Sequence, residues 1–305
     1  MNARYLAQAN LLLDLLPLVG QEKNIAVKGG TAINLFVREL PRLSVDIDLV
    51  YLPCDSRETA LTEIDTILNR ISDRIKRFKP NIKIGFKRGN DGKAVGLRVG
   101  SAGVVVKIEP NTVLRGCVYP AESRKLNPVA KKALGYEGFL SIPIASIPDL
   151  YGGKICAALD RQHPRDLFDI KVLFEHEGMT TKIRKAFVIY LASHDRPMHE
   201  VLSPRRLNVQ EVFTNEFTGM TDVSVTYAEL ESVRERLISA VINDLTQSEK
   251  QFLISMKQGA PRWDLLGIPG IDNLPALQWK LMNIGKMDKT KHAKMLDKLK
   301  TTLKI

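Results

Sequence analysis

The sequence of 305 residues predicts an α/β (α+β) domain followed by a mainly helical domain. Strand-like and helix-like stretches alternate between residues 24 and 109, which is typical of a small mixed α/β domain. Proline and glycine punctuate residues 119–148, and from Asp149 onward the apolar residues recur at helical spacing. We therefore expect two domains, residues 1–148 and residues 149–305, in agreement with the usual domain size.

The N-terminal half supplies the elements of the mixed domain in order. Residues 5–18 are leucine-rich with helical periodicity and predict a helix, and residues 24–28 predict a short strand. Gly29-Gly30-Thr31 interrupts that strand and leads into a helical start. A strand follows over residues 43–52 and a long helix over residues 56–76.

Regular patterns continue to the end of the chain. Three further strands, separated by glycine-containing turns, are expected at residues 82–87, 94–99 and 104–109. Five helices are expected at residues 151–160, 165–176, 180–193, 227–245 and 248–258. Residues 286–305 carry many lysines at helical spacing, which indicates either a solvated basic helix or a helix that contacts RNA or a partner.

Composition narrows the class of partner and the compartment. A formal net charge of +11 raises the local concentration of phosphates and favours nucleic acid or nucleotide partners. The three cysteines show no CxxC spacing, so we expect neither a disulfide framework nor a zinc site, and a reducing, cytoplasmic location. No apolar run reaches the roughly 18–20 residues that a bilayer span requires, so no membrane partner is expected.

Two aspartates on the predicted strand 43–52 are the strongest chemical signal. Asp46 and Asp48 are two residues apart, so both carboxylates point to one face of the strand while Ile47 and Leu49 enter the core. Two such charges repel unless a cation lies between them, and hard oxygen ligands select Mg²⁺ or Mn²⁺. The ion in turn binds the phosphates of a nucleotide, so we expect an NTP as co-substrate.

The turn before this strand suits a phosphate. Backbone N–H groups of Gly29 and Gly30, at the start of a helix, are predicted to bind it, and the Thr31 hydroxyl adds a hydrogen bond. Arg42, four residues before Asp46, is expected to neutralise or position the carboxylates.

A third carboxylate is expected from a neighbouring strand. Lys107 and Glu109 share one face of the strand 104–109, whereas Val106 and Ile108 share the other. Glu109 is therefore a candidate third metal ligand or a candidate general base, and both roles remain open.

A second charged cluster lies in the helical half. Lys154 and Arg161 are seven residues apart and fall on the same side of a helix. Asp166 and Asp169 open the next helix and face the same way. The cluster indicates either a lysine that reaches a triphosphate and is oriented by a carboxylate, or a salt-bridge network between helices.

Taken in order, these motifs resemble one family. They are Gly-Gly-Thr, R-x-S-x-D-x-D from Arg42 to Asp48, K-I-E-x-N-x-x-x-R-G from Lys107, K-x-x-A from Lys154 and R-D-x-x-D from Arg165. Over residues 24–175 the set resembles the AbiEii/AbiGii toxin nucleotidyltransferases, the MenT-like group. The resemblance implies a polymerase-β-like minimal nucleotidyltransferase core and a helical C-terminal domain. It also implies a toxin of a toxin–antitoxin or phage-defence module, with a separate AbiEi-like antitoxin protein.

The resemblance also implies roles for individual residues of the first domain. Gly30 and Thr31 would hold the nucleotide, and Asp46 and Asp48 would bind the metal. Many nucleotidyltransferases have Gly-Ser where this chain has Gly-Gly-Thr, so the hydroxyl is kept.

In the second domain, Lys154 would contact the nucleotide phosphates, and Asp169 or Asp166 would be the late catalytic acid residue, which makes the expected site one built from both domains. The implied reaction transfers a nucleotide from an NTP to an acceptor, which in related toxins is the tRNA 3′ end. Nucleotidylation of a protein, and a non-catalytic module that binds RNA or a partner, are the alternatives.

Overall fold

A computed structural model describes residues 1–305 and divides the chain into two compact units. The first unit contains Met1–Ser146 together with Thr218–Ser224, and the second contains Ile147–Phe217 and Val225–Ile305. The two-domain prediction treated each domain as one continuous stretch, whereas here a short segment of the C-terminal half belongs to the first unit.

One sheet of seven strands organises the first unit, in the order β3-β4-β5-β2-β1-β7-β6. The strands are β1 Ile25–Lys28, β2 Asp46–Tyr51, β3 Lys83–Arg88, β4 Ala94–Ser101, β5 Val104–Asn111, β6 Glu122–Lys125 and β7 Ser141–Ile144. Strand β2 is antiparallel to β1 and parallel to β5. The five predicted strands from β1 to β5 are thus confirmed within three residues at each end.

The helices of the first unit are α1 Ala3–Val19, α2 Gly29–Ala32, α3 Arg57–Phe78 and α4 Pro128–Ala133. A π-helical turn, Ile33–Val37, continues α2. The predicted first helix is confirmed, and Pro17 lies inside its last turn. In α3 the apolar positions Ile64, Leu68 and Ile71 are fully buried, as an amphipathic helix on a sheet requires.

The sequence pattern predicted no particular helix or strand in the Pro- and Gly-punctuated residues 119–148, and the structure has several there. These residues contain β6, α4, β7 and the start of the next helix. The sequence of β6 is Glu-Ser-Arg-Lys and lacks apolar alternation, because this strand lies at the edge of the sheet and only pairs with β7. Strand β7 contains Pro143 and joins β1 through a single registered pair, Val27 with Ile144.

The second unit is helical, as predicted. Its helices are α5 Ile147–Asp160, α6 Pro164–Glu175, α7 Thr181–Ser193, α8 Met198–Leu202, α9 Gln210–Val212, α10 Tyr227–Asn243, α11 Gln247–Gln258, α12 Pro275–Gly285 and α13 Lys289–Leu303. The prediction missed α8, α9 and α12. Helices α5 and α7 approach closely at Gly152, where an added Cβ would lie 2.8 Å from the backbone nitrogen of Phe187.

The basic tail is helical from Lys289 to Leu303, with Leu299 and Leu303 buried and Lys291 and Lys294 exposed. Its predicted contact with RNA or a partner stays a prediction. None of the helices combines the length and the apolar character that crossing a bilayer requires.

The segment Thr218–Ser224 completes the first unit through backbone contacts. The Leu43 N–H donates to the Met220 carbonyl at 2.7 Å, and the Asn2 N–H donates to the Gly219 carbonyl at 2.8 Å. The Thr221 hydroxyl donates to the Pro41 carbonyl at 2.6 Å. The bonds to Leu43 and Pro41 tie the segment to the chain just before β2, so it supports the strand that carries the two aspartates, and the bond from Asn2 ties it to the start of α1.

We expect Met220→Ala to destabilise the first unit by about 2–5 kcal/mol, because the side chain is fully buried and its loss leaves a cavity. Chemical denaturation followed by circular dichroism measures the change. The matched control is Met282→Ala, at a side chain that is 44% exposed, for which a change within about 0.5 kcal/mol is expected. Equal stability losses in the two variants would contradict a structural role for the segment.

Candidate active site

The two aspartates of β2 lie as the strand periodicity predicts. Ile47 and Leu49 are fully buried between the sheet and its helices, whereas Asp46 and Asp48 are only partly buried on the opposite face. Asp48 is registered with Lys28 on β1 and with Glu109 on β5. Paired residues on neighbouring strands share a face, so the three side chains form one row across the sheet.

Gly29 brings the backbone up against the Asp48 carboxylate. Its φ of +68° is in the left-handed region, and an added Cβ would lie 2.5 Å from Asp48 Oδ2. Glycine is thus required twice at this position, for its conformation and for the space it leaves. The contact places the start of α2 directly beside the carboxylate that is predicted to be a metal ligand.

The rest of the turn is tied to the chain just before and within β2. The Thr31 hydroxyl donates to the Asp46 carbonyl at 2.5 Å and lies 2.9 Å from the Ser44 hydroxyl. Thr31 is 1% exposed, so its hydroxyl is directed inward in this structure. Its predicted contact with a phosphate stays a prediction, and such a contact would require the hydroxyl to leave Asp46.

Arg42 is buried beside the same turn. A Cβ added to Gly30 would lie 2.7 Å from the Arg42 guanidinium, and Arg42 also donates to the Leu43 carbonyl at 2.8 Å. The guanidinium therefore fills the space next to Gly30, in the neighbourhood of Ser44, whose hydroxyl is 3.2 Å from the same hypothetical Cβ. Arg42 thus supports the turn beside the aspartates, and its predicted role in neutralising or positioning the carboxylates stays a prediction.

Glu109 lies in the row with Asp48, and it accepts a hydrogen bond from Lys87 Nζ at 3.0 Å. Lys87 is on β3 and Glu109 is on β5, and Gly96 lies on β4 between them. Because Gly96 has no side chain, it leaves room for this contact. No group of three or more Asp, Glu, His or Cys side chains is clustered as a metal cage would require. The role of Glu109 as a third ligand with Asp46 and Asp48 stays a prediction.

A cleft of about 720 Å³ opens at this end of the sheet. Its lining includes Asp48 and Glu109 together with three cationic side chains, Lys28, Arg57 and Lys87. A cleft of this size fits a nucleotide, and its mixture of carboxylates and cations fits a metal-bound triphosphate.

The second predicted cluster forms within the second unit. Lys154 Nζ lies 2.9 Å from Asp166 Oδ1 and 2.9 Å from Asp169 Oδ2, and all three side chains are buried. Arg161, which is 63% exposed, adds a contact of 2.6 Å to Asp166. Burial alone raises the pKa of Asp166, but attraction to Lys154 and Arg161 outweighs it and holds that pKa below its usual range. The cluster is thus a salt-bridge network in this structure, and its predicted contact with the nucleotide stays a prediction.

Sequence reasoning missed Lys28, Ser44, Arg57 and Lys87. Lys28 immediately precedes Gly29, and Ser44 lies within the R-x-S-x-D-x-D motif, so their positions offered a signal. Arg57 and Lys87 join the site only through the packing of α3 and the pairing of β3, for which the local sequence has no signal.

A glycine turn packed on an acidic strand of a mixed sheet, with cations around a cleft, defines a protein of the nucleotidyltransferase type. The family described as the AbiEii nucleotidyl transferase toxins of type IV toxin–antitoxin systems matches residues 10–283, and this chain belongs to that family. The predicted family is confirmed, and membership implies an NTP substrate and an antitoxin partner.

The fold is also that of a solved toxin. MenT4, a nucleotidyltransferase toxin from Mycobacterium tuberculosis, is similar with a TM-score of 0.61 and 18% identity, over 93% of this chain and 95% of that one. This similarity confirms the predicted fold class. JHP933 from Helicobacter pylori has a TM-score of 0.45 and 18% identity, over 82% of this chain and 96% of that one. No curated sequence is similar enough to this chain to count as a match.

We expect Gly29→Ala to weaken both the fold and nucleotide binding. The left-handed conformation costs a non-glycine residue about 1–2 kcal/mol, and the new methyl group also displaces the Asp48 carboxylate. Gly103→Ala is the control, because Gly103 has a φ of +80° but no atom within 4 Å of an added Cβ. Titration calorimetry with a non-hydrolysable NTP and Mg²⁺ should show a loss on the order of tenfold for Gly29→Ala only. Equal affinities of the two variants would contradict the role of the Gly29–Asp48 contact.

Lys154→Ala should destabilise the second unit by about 3–5 kcal/mol, because it leaves two buried carboxylates without their cation. Lys171→Ala is the control, because Lys171 pairs with Glu175 at the surface one helical turn away. Such surface pairs contribute about 0.3–0.5 kcal/mol. Thermal unfolding at neutral pH measures both changes.

The effect of Lys154 should also depend on pH. The pKa of Asp166 is lowered in the folded protein, so its stabilisation is present above the unfolded pKa of about 3.9 and is lost as the pH falls further. The gap in stability between the wild type and Lys154→Ala should therefore narrow below about pH 4. A gap that is constant from pH 7 to pH 3 would show that the ion pair contributes nothing to it.

Proposed function

We propose that this toxin is a Mg²⁺-dependent nucleotidyltransferase that adds one or more nucleotides from an NTP to the 3′ end of tRNA. Modified tRNA cannot be charged with an amino acid, so translation and growth stop. The observation that carries the proposal is the row of Lys28, Asp48 and Glu109 in the cleft, with Gly29 against the Asp48 carboxylate.

The residues fit a divalent cation. Asp46 and Asp48 offer hard carboxylate oxygens from one strand face, and Gly29 adds no side chain against Asp48 Oδ2. Mg²⁺ or Mn²⁺ bound there supplies a positive charge that neutralises phosphate oxygens. The backbone of Asp46 is held in place because the Thr31 hydroxyl donates to its carbonyl.

Cationic and backbone groups suit the triphosphate. Lys28, Arg57 and Lys87 line the cleft and provide positive charge for the β- and γ-phosphates. Backbone N–H groups of Gly29 and Gly30 provide neutral donors at the start of α2.

In the proposed reaction, a ribose hydroxyl of the acceptor attacks the α-phosphorus of the NTP. A new P–O bond forms, the bond between the α- and β-phosphates breaks, and pyrophosphate leaves. The hydroxyl proton passes to a carboxylate, and we assign that role to Glu109, which lies next to Asp48 in the row.

We propose that Lys154 contacts the nucleotide phosphates and that Asp169 or Asp166 acts as the late catalytic acid residue. The support is the order of the motifs along the chain and the family membership. On the same support we propose that the protein acts in the cytoplasm, takes part in phage defence and has an AbiEi-like antitoxin as its partner.

The test is to incubate the purified protein and Mg²⁺ with each radiolabelled NTP and total tRNA, and then with cell lysate protein. We expect label in tRNA, dependence on Mg²⁺, and a loss of at least about a hundredfold in Asp48→Asn, which keeps the shape of the side chain and removes its charge. Asp73→Asn, at an exposed aspartate of α3, is the matched control and should retain full activity.

Label in protein bands with unlabelled tRNA would replace the acceptor with a protein hydroxyl. Transfer that continues in Asp48→Asn or without divalent cation would overturn the assignment of the metal site. Nucleotide binding that does not depend on Mg²⁺, with no transfer to any acceptor, would favour a non-catalytic binding module.

A further inference from the structure

One face of strands β3, β4 and β5 carries cations alternating with glycines. The cross-strand pairs of β3 and β4 on this face are Lys83 with Gly100, Arg98 with Gly85, and Lys87 with Gly96. Each long cationic side chain therefore has a glycine rather than a carboxylate opposite it on the partner strand, and Lys87 also pairs with Glu109 of β5 at 3.0 Å. Lys107 of β5 continues the pattern, because it is registered with Arg98. We call these four cations and three glycines the basic face.

The basic face runs directly into the aspartates of the candidate active site. Lys107 is registered with Arg98 on one side and with Asp46 on the other, so the three residues form a row parallel to the row of Asp48. Neighbouring strands are about 4.8 Å apart, so the distance from β3 to the carboxylates of β2 is roughly 14 Å. A chain of phosphates lying along this row would end at the metal-binding carboxylates.

Exposure separates the two faces of these strands. Lys83, Lys87 and Arg98 are exposed and Lys107 is half-buried, whereas Leu97 and Val99, on the other face, are buried in the core. Solvated cations on a rigid sheet bind a phosphate backbone at low cost in ordering, because the strands already hold their relative positions.

We infer that the basic face binds the single-stranded 3′ end of the RNA acceptor through its phosphates and directs the terminal hydroxyl to Asp46 and Asp48. The inference rests on the proposed function, since it concerns the acceptor of that reaction. Gly85 and Gly100 leave shallow spaces between the cations, since an added Cβ would meet no atom within 4 Å at Gly85 and none closer than 3.8 Å at Gly100. In these spaces the backbone of a single strand can approach the sheet.

The composition of the face also predicts the mode of recognition. The residues on this face of β3, β4 and β5 include no aromatic side chain on which a base could stack. Single-stranded binding then depends on phosphate contacts, so it should tolerate any base sequence and weaken steeply with salt.

The test measures binding of fluorescently labelled total tRNA by anisotropy, without NTP, over a range of salt concentrations. The variant is Lys83→Gln/Arg98→Gln, because both side chains are exposed and neither lies in the cleft. We expect the affinity to fall on the order of tenfold and the slope of log affinity against log salt to fall by about 1.4, or about 0.7 for each phosphate that a cation no longer neutralises. Where transfer is active, KM for tRNA should rise and KM for the NTP should stay unchanged.

Two matched variants serve as controls. Lys76→Gln/Arg77→Gln removes one lysine and one arginine from exposed positions of α3 and should leave binding unchanged. Lys291→Gln/Lys294→Gln removes two exposed cations from the basic helix α13, the other candidate RNA surface. Thermal unfolding of each variant verifies that the fold is intact.

The outcomes separate this inference from the proposed function. If no transfer occurs but Lys83→Gln/Arg98→Gln still loses tRNA affinity, the proposed function fails and the basic face stands as an RNA-binding surface. Affinity equal to that of the α3 control overturns the inference, and a loss confined to the α13 variant assigns the acceptor to that helix instead. Competition by a blunt RNA duplex as strong as that by a single strand overturns the single-stranded assignment.

Discussion

The close approach of the Gly29 backbone to the Asp48 carboxylate is the contact on which the geometry of the site depends. It joins the two parts of the chemistry, the strand that carries the carboxylates and the turn that offers backbone donors, in one rigid unit. The hydrogen bond from Thr31 to the Asp46 carbonyl makes a second such connection, two residues after Gly29. Each contact joins the backbone of one residue to a short side chain of the other, Asp48 or Thr31, so neither depends on a long, flexible side chain. A site that must hold a metal and a triphosphate within a few tenths of an ångström benefits from such support.

The buried network around Lys154 shows a different way of holding charged groups. Two fully buried carboxylates share one ammonium, and the exposed Arg161 adds a second cation to Asp166. Such a network contributes little net stability relative to apolar packing, but removal of one partner leaves a costly unpaired charge. It therefore fixes the helices α5 and α6 in one arrangement. For this reason, loss of activity in a Lys154 variant has a chemical meaning only when the stability of that variant is measured beside it.

Much of this site was predictable because it depends on local periodicity. The alternation of β2 predicted that Asp46 and Asp48 share a face, and the strand–glycine–helix order predicted the turn at Gly29. Register was not predictable: the pairs Lys28–Asp48 and Lys87–Glu109 depend on how whole strands meet, which tertiary packing decides. The assignment of residues 218–224 to the first unit was likewise not predictable from the sequence, because it depends on backbone hydrogen bonds between residues far apart in the chain. The polar edge strand β6 has no apolar pattern at all, because an edge needs none.

The buried position of Thr31 limits the hydrogen bonds that its hydroxyl can make. Its side chain is buried and donates to the Asp46 carbonyl, a bond with a net contribution of about 1 kcal/mol. In this arrangement the hydroxyl holds the first aspartate of β2, and its effect on a bound nucleotide would be indirect. The proposed direct contact with a phosphate would then be made by the N–H groups of Gly29 and Gly30, which have no side chain to obstruct them. The Thr31 side chain is 1% exposed, so a change to serine would remove a buried methyl group.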